Sequence, residues 1–229
     1  MQRPRGGRRE RELGVATFPF QVGVIRLELR AAPDLDVLVA QAEDPDRLPF
    51  WAVIWPAAYV LAQDLVRRGP LRGRQVLELG CGAGLVGLAA AALGAEVLQT
   101  DRFPEAVALA RRNARENGLP GVRQVAADWR QWPLAGQWPL VVASDVLYQS
   151  ALHAPLLDTL AACVAPDGEV RLCDPDRPTA PDFLRQAADR GWTWELEVAD
   201  SGERLAGCRV AEPPPTGFSL LVLRPLRRE

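Results

Sequence analysis

Residues 76–94 read VLELGCGAGLVGLAAAALG: a short apolar run breaks at Gly80, Gly82 and Gly84 and resumes as an apolar helix. A buried strand that enters a helix through a turn lacking side chains lets the backbone approach a ligand closely, and the helix start presents unpaired N–H groups there. The stretch predicts a cofactor loop between a strand and a helix. Its glycines do not choose the cofactor, because Gly82, Gly84 and Gly87 also satisfy the G-x-G-x-x-G spacing of dinucleotide sites, with Asp101 near the distance of a ribose-binding acid.

Outward from this centre, β-rich and helical patterns alternate. Strands are predicted at 75–79, 95–100, 122–126, 139–144 and 168–173, with helices at 84–93, 104–117, 151–164 and 180–190. Before them, PAAYVLAQDLVRRG (56–69) has apolar residues at helical spacing, with proline at its start and glycine at its end. Nearly continuous apolar strands separated by helices imply a parallel sheet covered on both faces. WTWELEV (192–198) and GFSLLVLRP (217–225) have no long helix between them and are expected to form a terminal antiparallel pair. At the other end, VGVIRLELR (22–30) alternates apolar and polar residues. LDVLV (35–39) does so again after Ala32-Pro33-Asp34, which predicts a hairpin.

Composition narrows the chemistry. All 27 basic residues of the 229-residue chain are arginine, so no lysine is available for a pyridoxal Schiff base or a phosphate-loop site. His153, the one histidine, leaves little for a metal cluster or a Ser-His-Asp triad, and it is expected as a partly exposed helix residue. Cys81, Cys163, Cys173 and Cys208 form no C-x-x-C pair, so reduced thiols, no metal and a cytoplasmic location are expected, with Cys81 a small space-filler in the loop. No apolar run is long enough to span a bilayer, and no signal peptide is apparent. The formal net charge of -2 proposes no polyanion, and the arginine-rich MQRPRGGRRERE (1–12) reads as a solvated tail.

Three carboxylates at successive strand ends favour S-adenosylmethionine over a dinucleotide. Glu78, two residues before Gly80, can anchor the glycine loop or meet the ligand's amino group, whereas a pyrophosphate gains nothing from it. Asp101 can accept from both ribose hydroxyls, Asp128 can accept from the adenine amino group, and the Trp129 indole can pack on the base. Ligands of open α/β sheets collect at these strand ends.

With E-x-G-x-G-x-G, TD and DW, the chain resembles the seven-strand class I methyltransferases over about residues 48–225. LPFWA (48–52) with Trp55-Pro56, and SDVLY (144–148) after the fourth strand, resemble the protein-lysine methyltransferase branch that includes the electron-transfer-flavoprotein β-subunit enzymes and their nicotinamide-methyltransferase-like relatives. This chain has Ala57-Ala58 where the flavoprotein enzymes carry Gly-Gly, so the likeness extends to the branch and not to its substrate. It implies a Rossmann-like, mostly parallel seven-stranded sheet with an antiparallel C-terminal pair. With the patterns read upstream of it, the expected layout is an arginine-rich tail over 1–14, a hairpin extension over 15–47 and the methyltransferase domain over 48–229. The likeness also implies Asp145 as the group that attracts and aligns the acceptor amine and Tyr148 as a wall of the amine channel, with Ser144 beside the cofactor. Trp51 and Trp55, four apart, would share one aromatic face at the cofactor's methionine end if they are helical.

A lysine-bearing protein is the expected partner and a monomer the expected state, with no membrane and no nucleic acid involved. SDVL stands where base-modifying enzymes resemble [DN]PP[YF], which disfavours bases. A small amine or pyridine and a peptide arginine remain open acceptors. From other classes come a nicotinamide-dependent oxidoreductase, through the overlapping glycine pattern, and a cofactor-binding interaction protein without turnover.

Overall fold

The computed structural model describes residues 14–33, 35–40, 48–199 and 217–226. A hairpin comes first, with β1 (Ala16–Val22) paired antiparallel to β2 (Ile25–Ala31) and Gly23 turning between them at φ 55°. The expected hairpin therefore exists with β2 in the stretch read as its first strand (22–30), but its partner β1 lies upstream, and residues 35–39 belong to a short helix, α1 (Leu35–Ala40). Two effects account for the difference. Pro19 disguises β1, which tolerates it as an edge strand, and a short apolar run such as LDVLV fits a helix as well as a strand. Of the tail expected over residues 1–14, residues 1–13 lie outside the described residues.

The sheet is built from β3 (Gln75–Leu79), β4 (Glu96–Asp101), β5 (Arg123–Ala126), β6 (Trp138–Ser144), β7 (Val164–Asp174), β8 (Trp192–Ala199) and β9 (Phe218–Pro225). Their order is β5-β4-β3-β6-β7-β9-β8. The first five run parallel, and β9 runs antiparallel between β7 and β8. The chain winds outward from β3 to β5 and then returns to the other side of β3, so the carboxyl ends of β3 and β6 flank the crevice where such sheets bind ligands. Helices α2 (Pro56–Arg68), α3 (Leu85–Ala92), α4 (Pro104–Glu116), α5 (His153–Cys163) and α6 (Ala180–Asp189) connect or precede the strands, close to their predicted bounds.

Period-two alternation sorts the strand side chains onto two faces. Val76, Val97, Leu140 and Val142 pack with α2 and α3 on one face, while Leu77, Leu79, Val141 and Leu172 pack with α5 and α6 on the other. Phe20, Ile25, Leu27 and Leu29 of the hairpin join the α2–α3 core. The hairpin's polar edge is held by α4: Asn117 Oδ1 and Nδ2 pair with the N–H and C=O of Glu28, each at 2.8 Å. Asn113, one turn earlier and fully buried, pairs with the N–H and C=O of Arg30 and donates to Ala83 O in the glycine loop at 2.8 Å. Two amides at helical spacing thus serve β2 as a substitute strand.

One charged pair crosses the core. Arg171 on β7, 3% exposed, donates to Asp64 of α2 at 3.1 Å and to Glu169 at 3.2 Å. Asp64 also receives Arg68, which reaches Glu197 on β8. Cys81, Cys163 and Cys173 are free, buried thiols, and Cys208 lies outside the described residues. Among the described residues no helix is long and apolar enough to cross a membrane.

Candidate cofactor and acceptor site

The glycine loop leaves β3 through Gly80, Gly82 and Gly84, all at positive φ, and enters α3. Four strand ends meet it. From β3, Glu78 points to the α3 face, where its Oε2 accepts from Gly87 N at 3.0 Å and from Gln99 Nε2 at 2.7 Å. Gly87 is required for this approach, because a Cβ there would stand 2.5 Å from that oxygen. From β4, Asp101 Oδ2 accepts from Gly82 N at 3.0 Å and Oδ1 from Phe103 N at 2.9 Å. Past β5, the Trp129 ring would lie 3.5 Å from a Cβ on Gly80, and past β6 Val146 would lie 3.2 Å from it. The Trp51 carbonyl closes the other side, 3.0 Å from where a Cβ on Gly82 would be. Glu78, Asp101 and Trp129 therefore gather around one loop.

Burial dominates the electrostatics. It pushes the Glu78 carboxyl from 4.5 up to about 8, against the pull of the Gln99 and Gly87 hydrogen bonds. It raises Asp101 as well, although the Phe103 and Gly82 N–H groups oppose the shift. A carboxyl that folds into such a place holds its proton between pH 4.5 and about 8 while the unfolded chain has lost it. The cofactor-free protein is accordingly expected to be most stable with respect to this group below pH 4.5, and to lose a few kcal/mol as pH rises toward 8. Glu78→Gln keeps an acceptor for both N–H groups and should flatten that slope. Thermal unfolding against pH measures it, and an unchanged slope in the variant would refute the assignment.

Asp128 caps the 3-10 turn Trp129–Gln131, and both its oxygens engage Arg130, which holds its carboxyl below the usual range. An adenine amino group would have to share those oxygens. Trp51 and Trp55 do not lie on one helix: Trp51 is in a 3-10 turn (Phe50–Ala52) and Trp55 is the extended cap of α2. Pro56 forces this, since the residue before a proline is driven from helical to extended geometry. Trp55 donates to Phe50 O at 3.1 Å, with the two rings 6.2 Å apart. Ser144 ends β6 opposite Cys173.

Asp145 departs from the strand at φ 60°, a left-handed conformation few residues except glycine adopt. Its N–H donates to Cys173 O at 2.9 Å, and its carboxylate meets Arg177 Nη1. Burial raises the Asp145 carboxyl, and Arg177 opposes that shift. Tyr148 stands in the following loop, 44% exposed, and is not helical. His153 is fully buried, contrary to the expectation of partial exposure. Its Nε2 lies 3.2 Å from Leu147 O, and its ring sits edge-on to Phe183. It is the first residue of α5, where the chain folds back against Phe183 of α6.

Gln99, Asn113, Asp174 and Arg177 escaped the sequence reading. Gln99 and Asn113 had a signal, because each is a polar residue at an otherwise apolar, inward position of its element. Asp174 had one too, as a carboxylate at the end of β7, whereas Arg177, in the loop after it, follows no periodicity and had none.

The model of the lysine methyltransferase family matches residues 42–188. The chain belongs to the lysine methyltransferase family. Protein N-lysine methyltransferase METTL21A of Danio rerio is 39% identical over 129 residues, covering 52% of this chain and 58% of that protein. Electron transfer flavoprotein beta subunit lysine methyltransferase of Danio rerio is 33% identical over 132 residues, 56% of this chain and 51% of that protein. Histone-arginine methyltransferase METTL23 of Homo sapiens is 31% identical over 146 residues, 61% and 77% respectively. The match thus spans little more than half of both lysine methyltransferases. Among solved structures, the glycopeptide N-methyltransferase MtfA complexed with S-adenosylmethionine has a TM-score of 0.59 at 16% identity, covering 73% of this chain and 94% of that chain, a likeness of fold.

Membership in the lysine methyltransferase family sets aside the oxidoreductase alternative and makes S-adenosylmethionine the cofactor against which the loop is compared. The residues around the loop fit that cofactor. Two buried carboxyls, Glu78 and Asp101, approach the glycine turn, and each receives only N–H groups among its hydrogen bonds, which leaves oxygen lone pairs for the hydroxyls of the cofactor's ribose.

Proposed function

We propose that this family member methylates the side-chain nitrogen of a protein lysine, acting as a monomer in the cytoplasm. The observation that supports it most is Asp145: a nearly buried carboxylate one residue before Val146, which packs on the cofactor turn at Gly80. The described residues of a single chain supply every group the reading uses, and the buried free thiols suit a reducing compartment.

The cofactor, when bound, supplies an electrophilic methyl group. In this reading Glu78 fixes the start of α3 and Asp101 receives the ribose hydroxyls with the lone pairs left beside Gly82 and Phe103. Trp129 with Asp128 borders the adenine, while Gly80, Gly82, Gly84, Ser144, Trp51 and Trp55 border the rest. A lysine ammonium in water, which titrates at about pH 10.4, must lose its proton, at a cost of about 4.6 kcal/mol at pH 7. Desolvation beside the sulfonium lowers that cost, and Asp145 attracts the ammonium and aligns its nitrogen for in-line transfer. Tyr148, half exposed after Asp145, borders the acceptor's entrance. The second reading, a protein arginine, is favoured by the likeness to METTL23.

Incubating the protein with tritiated S-adenosylmethionine and a lysate of cells lacking its gene is expected to label a protein band that yields methyl-lysine on hydrolysis. Methyl-arginine would favour the second reading, and label confined to small molecules would overturn both. Because the chain contains no lysine, its own band should stay unlabelled.

A further inference from the structure

Asp145 is not the last member of its own network. Arg177, in the turn after β7, donates its main-chain N–H to Asp174 Oδ1 at 2.8 Å and its Nη1 to Asp174 Oδ2 at 3.2 Å, and the same Nη1 meets Asp145 Oδ1. The two carboxylates are buried and the guanidinium that joins them is partly exposed. The Asp174 side chain is 0% exposed, Asp145 8% and Arg177 26%. Asp174 is thus an inaccessible anchor, Arg177 the link, and Asp145 the end that reaches the loop beside the glycine turn. One guanidinium between two carboxylates leaves one formal negative charge over.

We propose that Arg177, clamped by Asp174, is a positioning residue: it fixes the Asp145 carboxylate where the acceptor nitrogen arrives, and the charge left over in the triad selects acceptors that arrive as cations. This rests on the reading of Asp145 as the acceptor-aligning group. The physical need is plain in the backbone. Asp145 leaves β6 in a left-handed conformation, so its carboxylate is not held by the strand's own geometry, and among the described residues the bond from its N–H to Cys173 O and the contact to Arg177 define its direction. The groups facing it are Arg177 and Asp174, with the Cys173 thiol beside it on β7 and Asp176 further along the same turn. Of these, Arg177 alone is positive and favours the ionised carboxylate.

Arg177→Ala and Arg177→Lys test the proposal, with tritiated S-adenosylmethionine and the dialysed lysate as acceptor. Arg177→Ala should bind S-adenosylhomocysteine like the unsubstituted protein, lose about tenfold in initial rate at pH 7, and shift the acid limb of its pH–rate profile upward by about one unit, because Asp145 then faces Asp174 without a counter-charge. One nitrogen, Nη1, serves both carboxylates, so the ammonium of Arg177→Lys can replace it and should return the limb to its original pH. A merely structural role would lower the rate at every pH and leave the limb in place. An unmoved limb in Arg177→Ala, or a shifted limb that Arg177→Lys fails to restore, would overturn the proposal. Asp145→Asn measured alongside separates the two levels. Full activity in that variant removes the reading of Asp145 and the proposal with it, whereas an impaired Asp145→Asn with an unaffected Arg177→Ala removes the proposal alone.

Discussion

Asp145→Asn is expected to lower the rate of methyl transfer about a hundredfold while leaving the affinity for S-adenosylhomocysteine unchanged. Asparagine suits the test because it has nearly the same shape and tolerates the left-handed backbone at φ 60°, where alanine would add strain of its own. What the substitution removes is the negative charge. The amide still meets Arg177 as an acceptor, and Arg177 keeps both bonds to Asp174, so the turn after β7 should remain in place. An acceptor ammonium would then enter a site with no charge left over to draw it in or orient it. Calorimetry with S-adenosylhomocysteine and initial rates with labelled cofactor give the two numbers. A proportionate loss of binding and rate would place Asp145 among the cofactor's own contacts instead. The opposite pattern is expected at Asp101, whose oxygens hold Gly82 of the cofactor loop and Phe103 at the start of α4.

Asp64→Ala is expected to be the most destabilising of these substitutions, by about 3 kcal/mol. Arg171 lies 3% exposed between α2 and the sheet, and Asp64 takes its Nη1 while Glu169 takes only its Nε. Removing the carboxylate leaves a guanidinium nitrogen in the core without a partner, and the same change frees Arg68 from its one-turn contact. For a chain of this size the loss corresponds to a fall of roughly 10 °C in the thermal midpoint. The cost belongs to the stranded charge and not to a large net worth of the ion pair, so replacing both partners together, Asp64→Leu with Arg171→Met, should recover most of the stability. If the double variant is as unstable as the single one, the pair itself is contributing the stability.

Both effects arise from contacts that differ in how far they could be read in advance. Glu78 lies nine residues from Gly87, and the strand, turn and helix between them are local events, so the meeting of carboxyl and helix start was implicit in VLELGCGAGLVG. The positions of Asp101 and Trp129 followed from counting strand ends in a parallel sheet. The condition set for Trp51 and Trp55 is not met, because spacing by four has meaning only inside a helix and Pro56 excludes one there. The hairpin was displaced because pairing depends on which strand is available as partner, and β1 with its Pro19 did not look like one.

What the amino-acid order determined by itself is the set of elements from residue 56 onward, the glycine turn and the acidic strand ends, since backbone preference, hydrophobic period and the absence of a side chain act over a few residues. The tertiary structure alone decided the partners: Asn113 for the backbone of Arg30, 83 residues away, Arg171 for Asp64 across 107, Arg177 for Asp145 across 32, and the insertion of β9 between β7 and β8. The reason is physical. A buried polar group binds whichever complementary atom the packed sheet brings within about 3 Å, and that neighbour is set by strand order and register and not by distance along the chain.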